Sequence, residues 1–193
     1  MQEGEAAIAY RIPLYLWIPM QYYSIVHCSL NYRGSQTVLE SSGWVLACGI
    51  MTGAVGITIA HELCHKSSWW EQLGARILLA PVFYMHYITD HKYGHHKMVS
   101  TLEDASSAPF GMSFYRFMPR TISGTFVSAW RLEKSRLKRK RKALLSHHNS
   151  VLMGLVCQAA IAAAYTWQFG FVGLKFLLLQ ALVAVSILAL VNY

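Results

Sequence analysis

The sequence predicts an all-α integral membrane protein, a bundle of about four spanning helices with one shorter re-entrant or interfacial helix. Three observations predict it. Hydrophobic residues make up 54% of the 193 residues and charged residues only 13%, against about 25% charged in a soluble domain. Mean hydropathy is +0.31. Four apolar stretches approach the ~20 residues that a spanning helix needs, at 12–30, 44–60, 151–169 and 174–191. A disordered chain is excluded, because so much apolar surface would not stay unburied. The same composition disfavours a soluble enzyme.

Each element has its own justification. The stretches 12–30 and 44–60 form a first pair of spans, with 151–169 and 174–191 as a second. A fifth stretch, 73–89, is shorter and holds Arg76, Pro81 and His86. Those residues favour a helix that enters the membrane without crossing it. The segment 92–149 is polar and reads as a cytoplasmic loop or subdomain of a single membrane-embedded domain, 1–193. Eight of the 17 Lys and Arg residues lie between Arg131 and Lys142. Such residues favour the cytoplasmic side, so this run orients the bundle and anchors it to anionic lipid. Its sharper reading is a docking surface for an acidic electron-transfer protein. Because the charge is local, nucleic acid is not an expected partner.

Four cysteines, Cys28, Cys48, Cys64 and Cys157, lie in or beside apolar stretches without CxxC spacing. They read as free thiols. The N-terminus lacks a basic region followed by an apolar core, so no secretory signal is expected. Tyr22, Tyr23, Trp44, Trp69 and Trp70 fit an interfacial aromatic belt.

The chemistry lies in the histidines. Six of the nine fall between His61 and His96. His61 and His65 are four apart, on one helical face at about 6 Å. His91 and His95 repeat that spacing, and His96 points about 100° further round. Clustered polar groups at membrane depth mark function, and imidazole suits zinc, copper, iron or nickel. His61-Glu62-x-x-His65 also matches the zincin pattern, with Glu62 as general base. One zinc uses three protein ligands, so the further histidines favour a two-metal oxidase over a membrane metalloprotease. Both groups must share one membrane face. If 73–89 crossed, they would stand roughly 30 Å apart. His86 reads as a core residue, and Glu103 and Asp104 as loop caps. Glu62 and Asp90 are candidates for orienting neighbouring histidines.

The segment running from HELCHK through DHKYGHH to RLEKSRLKR resembles the membrane alkane 1-monooxygenases, integral membrane non-haem di-iron hydroxylases of bacterial type. It is similar, more distantly, to membrane fatty-acid desaturases and xylene monooxygenases. The first histidine box of the family matches His61, Glu62, His65 and Lys66. The second matches His91, Gly94, His95 and His96, with Asp90 in place of the family's Glu. Residues 101–108 resemble its T-P-E-D-P-A-S-A pattern with both prolines lost, and 115–120 also fit. The likeness runs from about residue 13 to 193.

The resemblance implies a desaturase/alkane hydroxylase-like fold in the bacterial inner membrane, with the histidines facing the cytoplasm. It implies His61, His65, His91, His95 and His96 as ligands of two non-haem irons. It also implies terminal hydroxylation of n-alkanes with O2, using electrons from rubredoxin and rubredoxin reductase. A membrane fatty-acid desaturase or hydroxylase is the alternative, and the metalloprotease the remoter one. The family's late EHYG motif and last H-x-x-HH box do not occur before Tyr193, and its first pair of membrane helices is not evident. The expectation is an internal piece of the enzyme, inactive alone. His147-His148 reads as a local substitution rather than the last box.

Overall fold

The computed structural model describes residues 10–193. The expectation about a secretory signal rests largely on residues 1–9 and lies outside the described residues. Six helices account for the fold, and no strand occurs among the described residues.

Helix α1, Ile12–Gly34, opens with Pro13 in its first turn, where a missing N–H costs nothing. A three-residue connection leads to α2, Val38–Cys64. The Thr37 hydroxyl accepts from the Glu40 N–H, and the Glu40 carboxylate accepts from the Gln36 N–H. This reciprocal cap starts α2 at a defined residue. Within α2, Met51–Ile57 widens to a π-helix. Gly53 in that segment packs so closely on the last part of the chain that an added Cβ would stand 2.8 Å from the Ala184 backbone.

Helix α3, Trp69–Leu79, stops just before Pro81. Its last carbonyls would be orphaned in an apolar interior. Other helices satisfy them. Tyr22 Oη donates to Ile77 O at 2.8 Å and Gln21 Nε2 to Leu78 O at 2.9 Å. In the turn that follows, Pro81 O accepts from Gln180 Nε2 at 2.8 Å. The stretch expected as a non-spanning helix is therefore a short helix and an irregular turn, pinned by three side chains. The chain then re-enters helix as α4, residues 87–98, whose middle, His91–His95, is again π-helical.

Helix α5, Phe114–Arg139, occupies much of the segment read from sequence as a loop or subdomain. Its buried positions recur every fourth residue, at Phe117, Thr121, Thr125, Ala129, Glu133 and Leu137. Half of them are polar, which hid the helical period from a reading of apolar residues alone. Glu133 is buried, accepts two hydrogen bonds from the Arg136 guanidinium and caps the Ser150 N–H at 2.6 Å. That ties the end of α5 to the start of α6.

Helix α6 runs Ser150–Asn192 with a break at Gly170 (φ 67°, ψ −171°), a region open essentially to glycine. Unbroken, 43 residues would extend about 65 Å. Instead Ser150 Oγ lies 3.4 Å from Thr89 Oγ1, while Asn192 lines a cavity with His61 and His91. Both ends reach the histidine region, so Gly170 folds α6 into a hairpin whose arms match the two stretches predicted at 151–169 and 174–191.

Val38–Cys64 and Ser150–Asn192 are long and apolar enough to cross a membrane. Of the cysteines, Cys28, Cys48 and Cys64 are buried and Cys157 exposed, all four as free thiols.

Candidate metal centre

The two histidine groups meet. His61 and His65 sit at the end of α2, and His91, His95 and His96 on α4. Lys92 Nζ donates to Cys64 O at 2.9 Å, so the second group holds the C-terminal end of the helix carrying the first. One ligand atom from each of His61, His65, His91 and His96 lies within 4.8 Å of all the others. His91 is buried, His61 half-buried, and His65 and His96 exposed.

The π-helix decides which histidines converge. On an α-helix His91 would face His95. A π-helix bonds i to i+5, which brings His96 onto the His91 face. The His91–His96 ring centroids are 4.4 Å apart, against 5.4 Å for His91–His95. Gly94 permits the close fit. A Cβ there would lie 2.9 Å from Asp90 Oδ1 and 3.1 Å from Leu132 Cδ1 and Ser128 Oγ. Sequence spacing placed His91 and His95 on one face, because nothing in the residue types announces a π-turn.

The donor set fits a metal cation. His91 Nε2 lies 3.1 Å from His65 Nε2 and 2.9 Å from His96 Nε2. A neutral imidazole carries one N–H, so His91 Nε2 can donate to one of these neighbours at most. A cation among the lone pairs would satisfy all three. Burial, then the neighbouring histidines, pushes the His91 pKa from 6.5 down to about 3, which keeps it neutral. His65 is lowered too, by burial and then by His61.

His95 stands apart from these four. Its Nδ1 lies 2.8 Å from Asp104 Oδ2, and Asp104 is only 2% exposed. Asp104 Oδ1 accepts from Ser106 N–H at 3.0 Å, and Oδ2 also accepts from Ser107 Oγ at 2.6 Å. Arg120 of α5 clamps the same loop through Leu102 O and Ser107 O. Asp104 thus caps its loop, as read from sequence, and also reaches a histidine, which that reading missed.

Glu62 is exposed and paired with Lys66. Asp90 is buried, and burial lifts its pKa from 3.8 to about 6. His86 is 8% exposed, packed edge-on against Tyr84 and Phe126, with Nε2 unpartnered. His147 and His148 lie outside the cluster, with rings 3.9 Å apart.

A cavity of about 360 Å³ is lined in part by His61 and His91. Its remaining wall includes Gly53, Ala54, Ile57, Tyr87, Ile187 and Leu188. An apolar approach to polar imidazoles suits a ligand with no polar handle.

An all-helical bundle with spanning-length helices and clustered imidazoles beside an apolar cavity defines a membrane protein of the histidine-box class. The profile described as fatty acid desaturase matches residues 41–193, and the chain belongs to that family. It is 45% identical over 151 residues to alkane 1-monooxygenase 1 of Pseudomonas aeruginosa, covering 78% of this chain and 40% of that protein. It is 34% identical over 179 residues to alkane 1-monooxygenase 2 of Alcanivorax borkumensis, covering 93% and 46%. With the alkane 1-monooxygenase of Acinetobacter baylyi, identity is 34% over 178 residues, covering 92% and 43%. The chain spans less than half the length of these relatives.

Proposed function

We propose that this chain forms the core of an alkane 1-monooxygenase, hydroxylating the terminal carbon of n-alkanes with O2 at a histidine-ligated di-iron site. The observation that carries this reading is the convergence of His61, His65, His91 and His96, two of which, His61 and His91, line a largely apolar cavity. His61, His65, His91, His95 and His96 are the proposed iron ligands. The irons would supply the activation of O2 and cleavage of the C–H bond. The protein's own residues hold the lone pairs, orient the substrate and exclude water. Gly53, Ala54, Ile57 and Leu188 form a wall that an alkyl chain can follow towards the imidazoles. No protein group is needed as nucleophile or general base.

Electrons are proposed to come from rubredoxin and its reductase, with the basic run from Arg131 to Lys142 as the docking face. The proposed topology has four spans, formed by α1, α2 and the two arms of α6. It sets the histidines at the cytoplasmic face of the bacterial inner membrane, with 92–149 in the cytoplasm.

The family name keeps one second reading in play, a desaturase or hydroxylase acting on acyl chains. The test is to load the natural full-length protein with iron in detergent and supply rubredoxin, its reductase and NADH. Octane should yield 1-octanol, with two irons per chain. Turnover of acyl substrates but not octane would favour the second reading. One zinc per chain with peptide cleavage would overturn both.

A further inference from the structure

We propose that Asp104 is a positioning residue for His95, locking the imidazole tautomer that leaves Nε2 bare for a metal. The proposal rests on the reading of His95 as a ligand. Asp104 is 2% exposed, and its Oδ2 meets His95 Nδ1 at 2.8 Å. Its other contacts are donors too, the Ser106 N–H and the Ser107 hydroxyl. An ionised carboxylate surrounded by donors can only accept. The hydrogen of neutral His95 therefore sits on Nδ1, and the lone pair on Nε2. Hydrogen bonds of this kind to a ligand histidine fix its tautomer and raise its basicity.

The rest of the loop supports this geometry. Asp104 lies nine positions after His95, in a turn closed by the hydrogen bond its carboxylate accepts from the Ser106 N–H. Arg120 holds that turn to α5 through three carbonyls, those of Leu102, Asp104 and Ser107. The carboxylate is thus fixed from a rigid helix rather than left to a mobile loop, as positioning a ligand demands.

Asp104→Asn tests the lock with little change in shape. If the new amide oxygen keeps the Ser106 N–H, its NH2 group faces His95 Nδ1. The hydrogen then moves to Nε2 and blocks the lone pair. Two readouts apply to the natural full-length protein in detergent. The first is the nitrogen NMR spectrum of histidine-labelled, metal-free protein, with the His95 signals identified by their loss in His95→Ala. We expect the Nδ1–H tautomer in the wild type and loss of it in Asp104→Asn. The second is Co2+ titration. Asp104→Asn should weaken the His95-dependent binding step by about 10–100-fold. The same change in a His95→Ala background should add nothing, because the two residues act as one unit.

The proposal is overturned by an unchanged tautomer in Asp104→Asn. It is overturned equally by the same loss of Co2+ affinity in both backgrounds, which would mean that Asp104 merely orders its loop. If His95→Ala leaves Co2+ binding at wild-type strength, the ligand reading of His95 fails. The nitrogen spectrum then still decides whether Asp104 sets the tautomer.

Discussion

His91 Nε2 stands 3.1 Å from His65 Nε2, although twenty-six positions separate the two residues. This contact joins the end of α2 to the middle of α4 and places His91 at the centre of the cluster. His91→Ala should therefore remove more than one ligand's worth of order. Losing a hydrogen-bonded partner of a ligand typically costs about 10–100-fold in metal affinity, so losing His91 should cost at least about 100-fold. Iron analysis after dialysis checks this, with helical circular dichroism expected to match the wild type. Iron retained at the wild-type level would remove His91 from the ligand set.

The π-turn gives a second prediction. Gly94→Ala places a methyl group against Asp90 Oδ1, Ser128 Oγ and Leu132 Cδ1. Overpacking of this sort costs about 1–3 kcal/mol, and the strain falls on the turn that pairs His91 with His96. Thermal unfolding should move to lower temperature and iron content should drop with it. Gly43, with nothing within 4 Å of an added Cβ, is the control. Gly43→Ala should be neutral or stabilising by up to ~1 kcal/mol.

His86 predicts a pH dependence of stability. Burial lowers its pKa from 6.5 to about 4, so between these values the unfolded chain binds the proton and the folded one does not. Its share of stability is complete above pH 6.5, falls through the window from 6.5 to 4, and is fully lost below about 4. A shift of this size corresponds to about 3 kcal/mol. His86→Leu should lessen the slope by that share, while His65 and His91, also lowered, keep theirs. Melting curves of both proteins across the window check it, and parallel slopes would show that His86 does not titrate there.

The cavity gives a prediction about substrate. Ala54 lines the approach to His61 and His91, and Ala54→Phe would fill part of its roughly 360 Å³. The longest alkane accepted should shorten while iron content stays constant. Product profiles over a series of n-alkanes measure this. An unchanged profile would mean that the alkyl chain does not use this wall.

Much of this was legible in the residues. The apolar stretches gave the helix pairs, and the i,i+4 histidines gave the kind of site. Two features were not legible, for physical reasons. The π-turn at 91–95 changes which side chains are neighbours without changing composition, so His96 rather than His95 joins His91. Helix α5 buries Thr121, Thr125 and Glu133 in the same row as Phe117 and Leu137, so its inner face carries no apolar signature. Asp104 looked like a turn residue because it is one, and its second partner became visible only once the loop was folded.

The hydrogen bond from Gln180 to Pro81 O spans ninety-nine positions. The turn leading into the second histidine group thus acquires this donor only after ninety-nine further residues have been made. Until the second arm of the hairpin docks, the entry to α4 lacks one of the three side chains that pin it. The order of synthesis thus sets the order of fastening, with α1 holding the turn before α6 does.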